Sequence, residues 1–424
     1  MTGQAPCPAL NTTPETAVPR SERRILFVLA GIQFTHILDF MILMPLGPPL
    51  IRTLQIDTHE FGLLLSSYTF TAAASGLLAA LYVDRFDRRR LLLTLYLLFI
   101  VATLACGLAP GYASLLVARA SAGAFGGILG ALVQTVIVDV VPFERRGRAM
   151  GRVIGAFALA TVAGVPLGLL LAQHLPQLGW RAPFFFMVAV SLPVWLAGYR
   201  ILPSITAHLE RARSASALRP IAEVLRDPAH LQAFLFIALM VMTSFVVIPY
   251  IALYYTVNLG MTESFISLMY LVGGAATLGS SQWIGRLADR HGKLRTFRGV
   301  ALAAFVPILV TTHLVPVPAW IVLANATVFF MLVSGRMIPG MAMASSVAQP
   351  HVRGTFMSLA SSVQMGASGL ASLLGGLIIA RDAAGHVIHY NLAGYLAVCF
   401  GLASLWSARR LRQPGVQQAA PADA

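Results

Sequence analysis

Residues 25–50 read ILFVLAGIQFTHILDFMILMPLGPPL, a predominantly apolar run with one acid, Asp39, and no lysine or arginine. A helix of about 20 such residues crosses a hydrocarbon core roughly 30 Å thick. A carboxylate inside it costs about 2.5–3.5 kcal/mol on insertion scales, so Asp39 has a task or a partner. Similar runs lie near 61–83, 91–109, 112–141, 149–172 and 182–202, and then near 231–255, 265–285, 297–315, 319–346, 354–380 and 390–408. With 57% hydrophobic and 11% charged residues in 424, the chain is too apolar for a soluble domain of this size. Helices cross bilayers because they satisfy their own backbone hydrogen bonds. The pattern therefore predicts an all-α membrane protein with twelve transmembrane helices.

The net charge of +14 invites a nucleic-acid reading, and its distribution argues against one. With the N-terminus in the cytoplasm, 25 of the 30 lysines and arginines fall in segments on that side, as the positive-inside rule requires. Arg52, Arg181 and Arg381 fall outside, and Arg119 and Arg336 fall within spans. The single lysine, Lys293, stands in GKL, whereas a phosphate-binding loop needs Lys followed by Ser or Thr. ATP is not an expected partner. Cys7, Cys106 and Cys399 are scattered singly and offer neither a metal spacing nor a disulfide framework, so no metal or other cofactor is expected. The first 24 residues are polar, and no cleavable signal is expected.

These features divide the chain into an N-terminal tail (1–24), a six-helix bundle (25–202), an Arg-rich linker (203–230) with room for a surface helix, a second six-helix bundle (231–408) and a C-terminal tail (409–424). The halves echo each other. YVDRFDRRR (82–90) follows the second span, and GRLADRHGKLR (285–295) follows the eighth. Asp84 and Asp289 are 205 positions apart, Pro142 and Pro350 are 208 apart, and Gly147 and Gly354 are 207 apart. A nearly constant offset of half the chain marks a duplicated unit, the pattern of a secondary transporter.

At these loops the sequence resembles the major facilitator superfamily. GRLADRHGK carries the loop signature through Gly285, Asp289, Arg290 and Gly292. In the first-half copy, Asp84, Arg85 and Arg88 keep the charges, while Ala80 and Asp87 stand where glycines are usual. Arg119 in LLVARASAGAFGG matches the arginine of the fourth-helix signature. AGVPLG resembles the fifth-helix antiporter signature through Gly164, Pro166 and Gly168, with Val165 inserted between the usual Gly-Pro pair. That variant is most similar to the bacterial drug, sugar and metabolite efflux branch. The resemblance covers nearly the whole chain. It implies two pseudo-symmetric six-helix bundles around a central cavity, alternating access, a first-half loop that latches the bundles, a fifth-helix motif that seals against proton leak, and a monomer.

The charges inside the spans supply the candidate site. Asp39 lies 11 residues before Leu50, about 16 Å along the helix, and Arg119 lies 7 residues after Tyr112, about 10 Å. The two can face each other. Asp39 then carries a transported proton whose affinity Arg119 sets, or the pair is a permanent brace between helices 1 and 4. His36 and Gln33 follow Asp39 back along one helical face. His36 is a second protonatable group, a substrate contact, or a histidine bonded to backbone. Arg336 lies 17 residues into the tenth span, deeper than Arg119, and no acid lies in any second-half span. It binds an anionic substrate group, holds backbone carbonyls, or snorkels to the inner headgroups. Gln282, Asn325 and Gln364 join Gln33 and Arg336 as candidate substrate contacts, because polar groups within a span face protein or water.

The expectation is a proton-coupled efflux antiporter of small amphiphilic molecules, with proton-coupled uptake of a metabolite or organic anion as the alternative. Its partners are a small-molecule substrate, protons and the bilayer. The bias of arginine over lysine and the wealth of Ala, Gly and Leu suggest a multi-pass protein of a bacterial cytoplasmic membrane, both termini inside. A membrane-embedded enzyme would need a nucleophile, base or metal constellation, and only His36 and Asp39 share a face.

Overall fold

Prolines decide where the long apolar runs stop being single helices. In the computed structural model, which describes residues 20–206, 218–349 and 351–411, α1 (Arg20–Ile42) ends before Pro45. The chain turns over 43–46 and resumes as α2 (Gly47–Leu54), with Pro48 in the first turn, where a missing N–H breaks no helical bond. The run 25–50, read as one span, is thus a helix, a turn and a short helix.

In α3 (Thr58–Tyr82), Asp57 accepts from the Glu60 N–H at 2.6 Å while the Glu60 carboxylate accepts from the Asp57 N–H at 3.0 Å. This reciprocal cap satisfies two orphan donors of the first turn. Then come α4 (Arg88–Leu108), α5 (Tyr112–Val140) and α6 (Phe143–Leu159). A π-helical stretch, Ala160–Gly164, joins α6 to α7 (Val165–His174), and α8 (Ala182–Ile201) completes the first half.

The linker forms a short helix, α9 (Leu218–Arg226). The second half opens as the first does, with α10 (Pro228–Phe245), a break, and α11 (Ile251–Val257) around Pro249. It continues with α12 (Glu263–His291), α13 (Lys293–His313), α14 (Ala319–Gly335), α15 (Met337–Ser346) and α16 (Arg353–Ile378). A two-stranded hairpin, β1 (Ala380–Arg381) with β2 (Val387–Ile388), leads into α17 (Tyr390–Arg410).

Eleven helical segments among the described residues are long and apolar enough to span a membrane. A further long helix, α16, has 26 residues diluted by Ser, Gly and Gln. Its small residues have a structural reason: α16 lies along α3 and forms the main seam between the halves. A second seam sets α7 and the π-helical stretch against α12. Large apolar side chains such as Phe27, Trp283 and Trp320 are exposed around the outside, as a bilayer solvent allows.

The cores show where the halves meet. Ile37, Leu43, Phe61, Leu115 and Phe184 of the first half share one buried cluster with the second half. Ile25, Leu92, Leu129 and Val136, toward the end that carries the arginine-rich loops, form a cluster of their own. Among the described residues, side-chain hydrogen bonds between the halves run from Arg52 to Glu263 at 2.7 Å, from Thr58 to the Ile379 carbonyl, and between Gln173 and Ser264 and Ser267. They share the end away from those loops.

Candidate functional site

Asp39 stands on the last turn of α1, three residues before Ile42, and Arg119 on the second turn of α5. The guanidinium Nη1 donates to Asp39 Oδ2 at 2.9 Å and to the Asp39 carbonyl at 3.3 Å. Thr103 of α4 reaches Asp39 Oδ1 at 3.5 Å. The same guanidinium lies over the Tyr68 ring, 4.4 Å from its centre. The side chains of Asp39 and Arg119 are 0% and 1% exposed. Neither charge is solvated, so each depends on the other. Removing one member of a buried pair costs about 3–5 kcal/mol because it strands the remaining charge.

One and two turns back along α1 lie His36 and Gln33. His36 is 8% exposed, and its Nδ1 has no hydrogen-bond partner among the described residues. The same is true of Gln33 Oε1 and of the hydroxyl of Tyr68, which is 1% exposed. A buried polar atom left unsatisfied costs about 1–3 kcal/mol. Two of the four glycines of α5 lie beside these side chains, and His36 presents Cδ2 and Cε1 to them. A Cβ at Gly126 would lie 2.8 Å from the Tyr68 hydroxyl and 3.2 Å from His36, and one at Gly130 would lie 3.9 Å from His36 and 4.0 Å from the Gln33 amide. Tyr68 escaped the sequence reading because a tyrosine in an apolar run looks like core. Its spacing from the charges becomes informative only when α3 and α5 are packed.

Arg336 falls where α14 ends and α15 begins, and it is fully buried. Its Nη2 donates to Ser244 Oγ at 2.6 Å and to the Met240 carbonyl at 3.2 Å, while Nη1 has no partner among the described residues. Counting residues put Arg336 deeper than Arg119. In the folded chain each arginine reaches the last turn of the broken first helix of its own half. Depth counted along a helix assumes a straight, upright span, and this one is broken at Arg336. The carbonyl-holding alternative is thus met in part, and the side chain does not snorkel.

The other candidate contacts are spread out. Asn325 donates to Thr311 Oγ1 at 2.8 Å and lies 3.5 Å from the Tyr255 hydroxyl, within the second half. Gln364 is half-buried on α16, and Gln282 is exposed on α12. Among the described residues, no hydrogen bond joins these three to the Asp39 cluster.

In the first-half loop, the Asp84 side chain lies outside the described residues, and Arg85 is exposed. Arg88, at the start of α4, is 3.5 Å from Asp139 at the end of α5 and donates to the Val83 carbonyl at 3.2 Å. Asp87, a departure from the loop signature, caps α4 through the Arg89 N–H and binds the Ile205 N–H and the Ser204 hydroxyl at 3.0, 3.0 and 2.8 Å. Burial raises its carboxyl, but these bonds and the Arg90 charge outweigh that and hold it below the ordinary value. Glu22 pairs with Arg145 at 3.0 Å, a link the sequence reading did not single out.

In the second-half loop, Asp289 and Arg290 are exposed on the last turn of α12, and Gly285 is half-buried. Gly292 turns the chain into α13 at φ +85°, a region that only glycine enters freely. The fifth-helix motif packs on α1: a Cβ at Gly164 would meet Leu38 at 3.0 Å, and one at Gly168 would meet Ile42 at 2.6 Å. Pro166 occupies the first turn of α7, just past the π-helical stretch. Val162 of that stretch fits against Gly274 of α12, across the seam.

A family model described as Major Facilitator Superfamily matches residues 29–372 and, in a second alignment, 233–422. The fold is similar to that of a bacterial homologue of the human lysosomal transporter Spinster in an inward-facing and occupied conformation, with a TM-score of 0.74, 15% identity, and coverage of 96% of this chain and 100% of that one. It is also similar to a D-xylose–proton symporter, with a TM-score of 0.72, 17% identity, and coverage of 92% and 98%. The nucleoside transporter NupG matches with a TM-score of 0.70, 11% identity, and coverage of 92% and 99%.

Proposed function

Because this chain belongs to the major facilitator superfamily, we propose that it is a secondary transporter working as a proton-coupled efflux antiporter of small amphiphilic molecules. The observation that carries this reading is the ion pair between Asp39 and Arg119, 2.9 Å long and sealed from solvent within a transmembrane bundle. A pair of this kind is bistable. With Asp39 ionised, attraction holds α1 to α5. With Asp39 protonated, the guanidinium loses its counter-charge and leans on the Tyr68 ring, which faces it at 4.4 Å. Desolvation favours the protonated form and Arg119 the ionised one, so a movement of α1 against α5 switches the balance.

Gln33, His36 and Arg336 are assigned to the polar lining that meets cargo or protons, and Gln282, Asn325 and Gln364 to supporting positions farther away. The arginine-rich loops face the cytoplasm of a bacterium in this reading, with both termini inside and the monomer as the working unit. The shared core at the opposite end supports a state closed to the outside.

Inverted vesicles energised to an acidic interior and loaded with a pH-sensitive dye test the proposal. A panel of cationic drugs, sugars, amino acids and organic anions is added to wild type and to Asp39→Asn. Substrate-triggered alkalinisation that disappears in Asp39→Asn is the expected result. An equal response in both proteins would make the pair a brace. Proton and substrate entering together would reverse the direction to uptake symport.

A further inference from the structure

We propose that the turn from α12 into α13 binds the phosphate of an anionic phospholipid, in the leaflet that this end of the bundle faces. The inference depends neither on the cargo nor on proton coupling. Residues 285–299 hold five cations, Arg286, Arg290, Lys293, Arg295 and Arg298, and one acid, Asp289. Among the described residues, none of the five makes an ion pair or a side-chain hydrogen bond. Four are exposed, and Arg298 is half-buried with its Nε buried and unpartnered. The first turn of α13 has no acid, and Gly292 gives it no side-chain cap. The positive end of the helix dipole therefore adds to the cations instead of being offset by an acid.

The duplicated unit shows what is missing here. At the 205-residue offset of Asp84 and Asp289, Gly292 corresponds to Asp87, whose carboxylate caps α4 through the Arg89 N–H at 3.0 Å. At the 208-residue offset of Pro142 and Pro350, the buried Val347 corresponds to Asp139, which lies 3.5 Å from Arg88. Lys293 corresponds to Arg88 and Arg295 to Arg90. Both copies thus keep the cations, and only the first supplies these two carboxylates. An anion from outside the chain takes the place that Asp87 fills in the first half. Lys293 and Arg295 flank it, and the uncapped N–H groups at the start of α13 donate to it. The bilayer is the nearest source. Trp283, 63% exposed, stands on α12 one turn before Arg286, and Leu278, farther in, is exposed as well. Tryptophan gathers at the headgroup level, so the cations stand beside lipid phosphates. A zwitterionic lipid brings its own cation to that phosphate, and five cations against one acid favour a lipid of net negative charge.

The test uses the full chain in nanodiscs of phosphatidylcholine with a minor fraction of phosphatidylglycerol. Lipid that stays with the protein on transfer to detergent is identified by native mass spectrometry. We expect phosphatidylglycerol to be retained at least about tenfold above its share of the bilayer. Lys293→Gln/Arg295→Gln, at two exposed positions that leave folding intact, should cut that enrichment about fivefold. Arg90→Gln, the matching change in the first half, should leave it as it was. The proposal is overturned if phosphatidylcholine is retained as readily, or if the double variant keeps the enrichment. It is overturned too if Arg90→Gln lowers the enrichment as far, which would make it a property of net charge and not of this turn. Inorganic phosphate in excess should not displace the lipid; displacement would assign the turn to a soluble anion instead.

Discussion

The Asp39–Arg119 pair shows what single residues disclose before a fold is known. Each announced itself as a charge in an apolar run, and counting along the helices placed them within reach. Tyr68, Thr103 and Phe40 carried no such signal, because hydroxyls and rings are ordinary within spans. Their role comes from packing across α3, α4 and α5. The pair is a fair test of whether burial or transport maintains it. Asp39→Leu strands the Arg119 guanidinium, which stays charged, and should destabilise the protein by about 3–5 kcal/mol. The double variant Asp39→Leu/Arg119→Met removes both charges and should recover most of that loss, while transport stays abolished in each. Thermal unfolding in detergent, with transport measured on the same preparations, checks this. A double variant no more stable than Asp39→Leu would mean that the surrounding groups, not the stranded charge, set the cost.

At the scale of the element, span positions were legible to within a few residues, but their breaks were not. Pro45 and Pro48 in an apolar run allow one kinked helix or two, and packing of α2 against α11 decides for two. The π-helical stretch was likewise invisible, since Pro166 announces a kink without saying on which side the extra residue goes. It precedes the proline and turns Val162 toward Gly274. Gly168 then sets α7 on α1, and Gly168→Leu should push the two apart, cutting transport severalfold at normal expression. Gly155→Ala, at a position with nothing within 4 Å, should be silent.

Asp87 belongs to the same scale, because it ties the start of α4 to the segment after α8. Asp87→Ala should cost about 1 kcal/mol at neutral pH, as a lost cap does. A carboxyl held below its ordinary value stabilises above that value and loses the contribution as pH falls through the lowered one. The gap in melting temperature between Asp87→Ala and wild type should therefore narrow below pH about 4. A gap constant across that range would show that the carboxylate charge is not what the cap uses.

For the whole molecule, the half-chain offset of the loops made the duplication readable, and eleven of the twelve expected spans followed from composition. Which end the halves close was unreadable, because it depends on contacts between residues some 300 positions apart, such as Thr58 with Ile379. Glycines hold that closure. A Cβ at Gly376 would lie 2.8 Å from the Thr58 carbonyl, 2.8 Å from the Tyr250 hydroxyl and 3.2 Å from Gly62 Cα. Two of these neighbours are backbone and cannot turn aside, so Gly376→Val can be accommodated only by parting α3 from α16. Overpacking costs about 1–3 kcal/mol, and at 1.4 kcal/mol per decade that is roughly tenfold in the balance between closed and open forms. Thr69, 3% exposed on the same seam, reports it. In a chain with Cys7, Cys106 and Cys399 replaced, Thr69→Cys should react slowly with an impermeant thiol reagent supplied at the closed end. Adding Gly376→Val should speed the reaction about tenfold and slow transport, because a transporter held open at one end cannot complete its cycle. Unchanged labelling would mean that the seam yields elsewhere and that these glycines do not hold the closure.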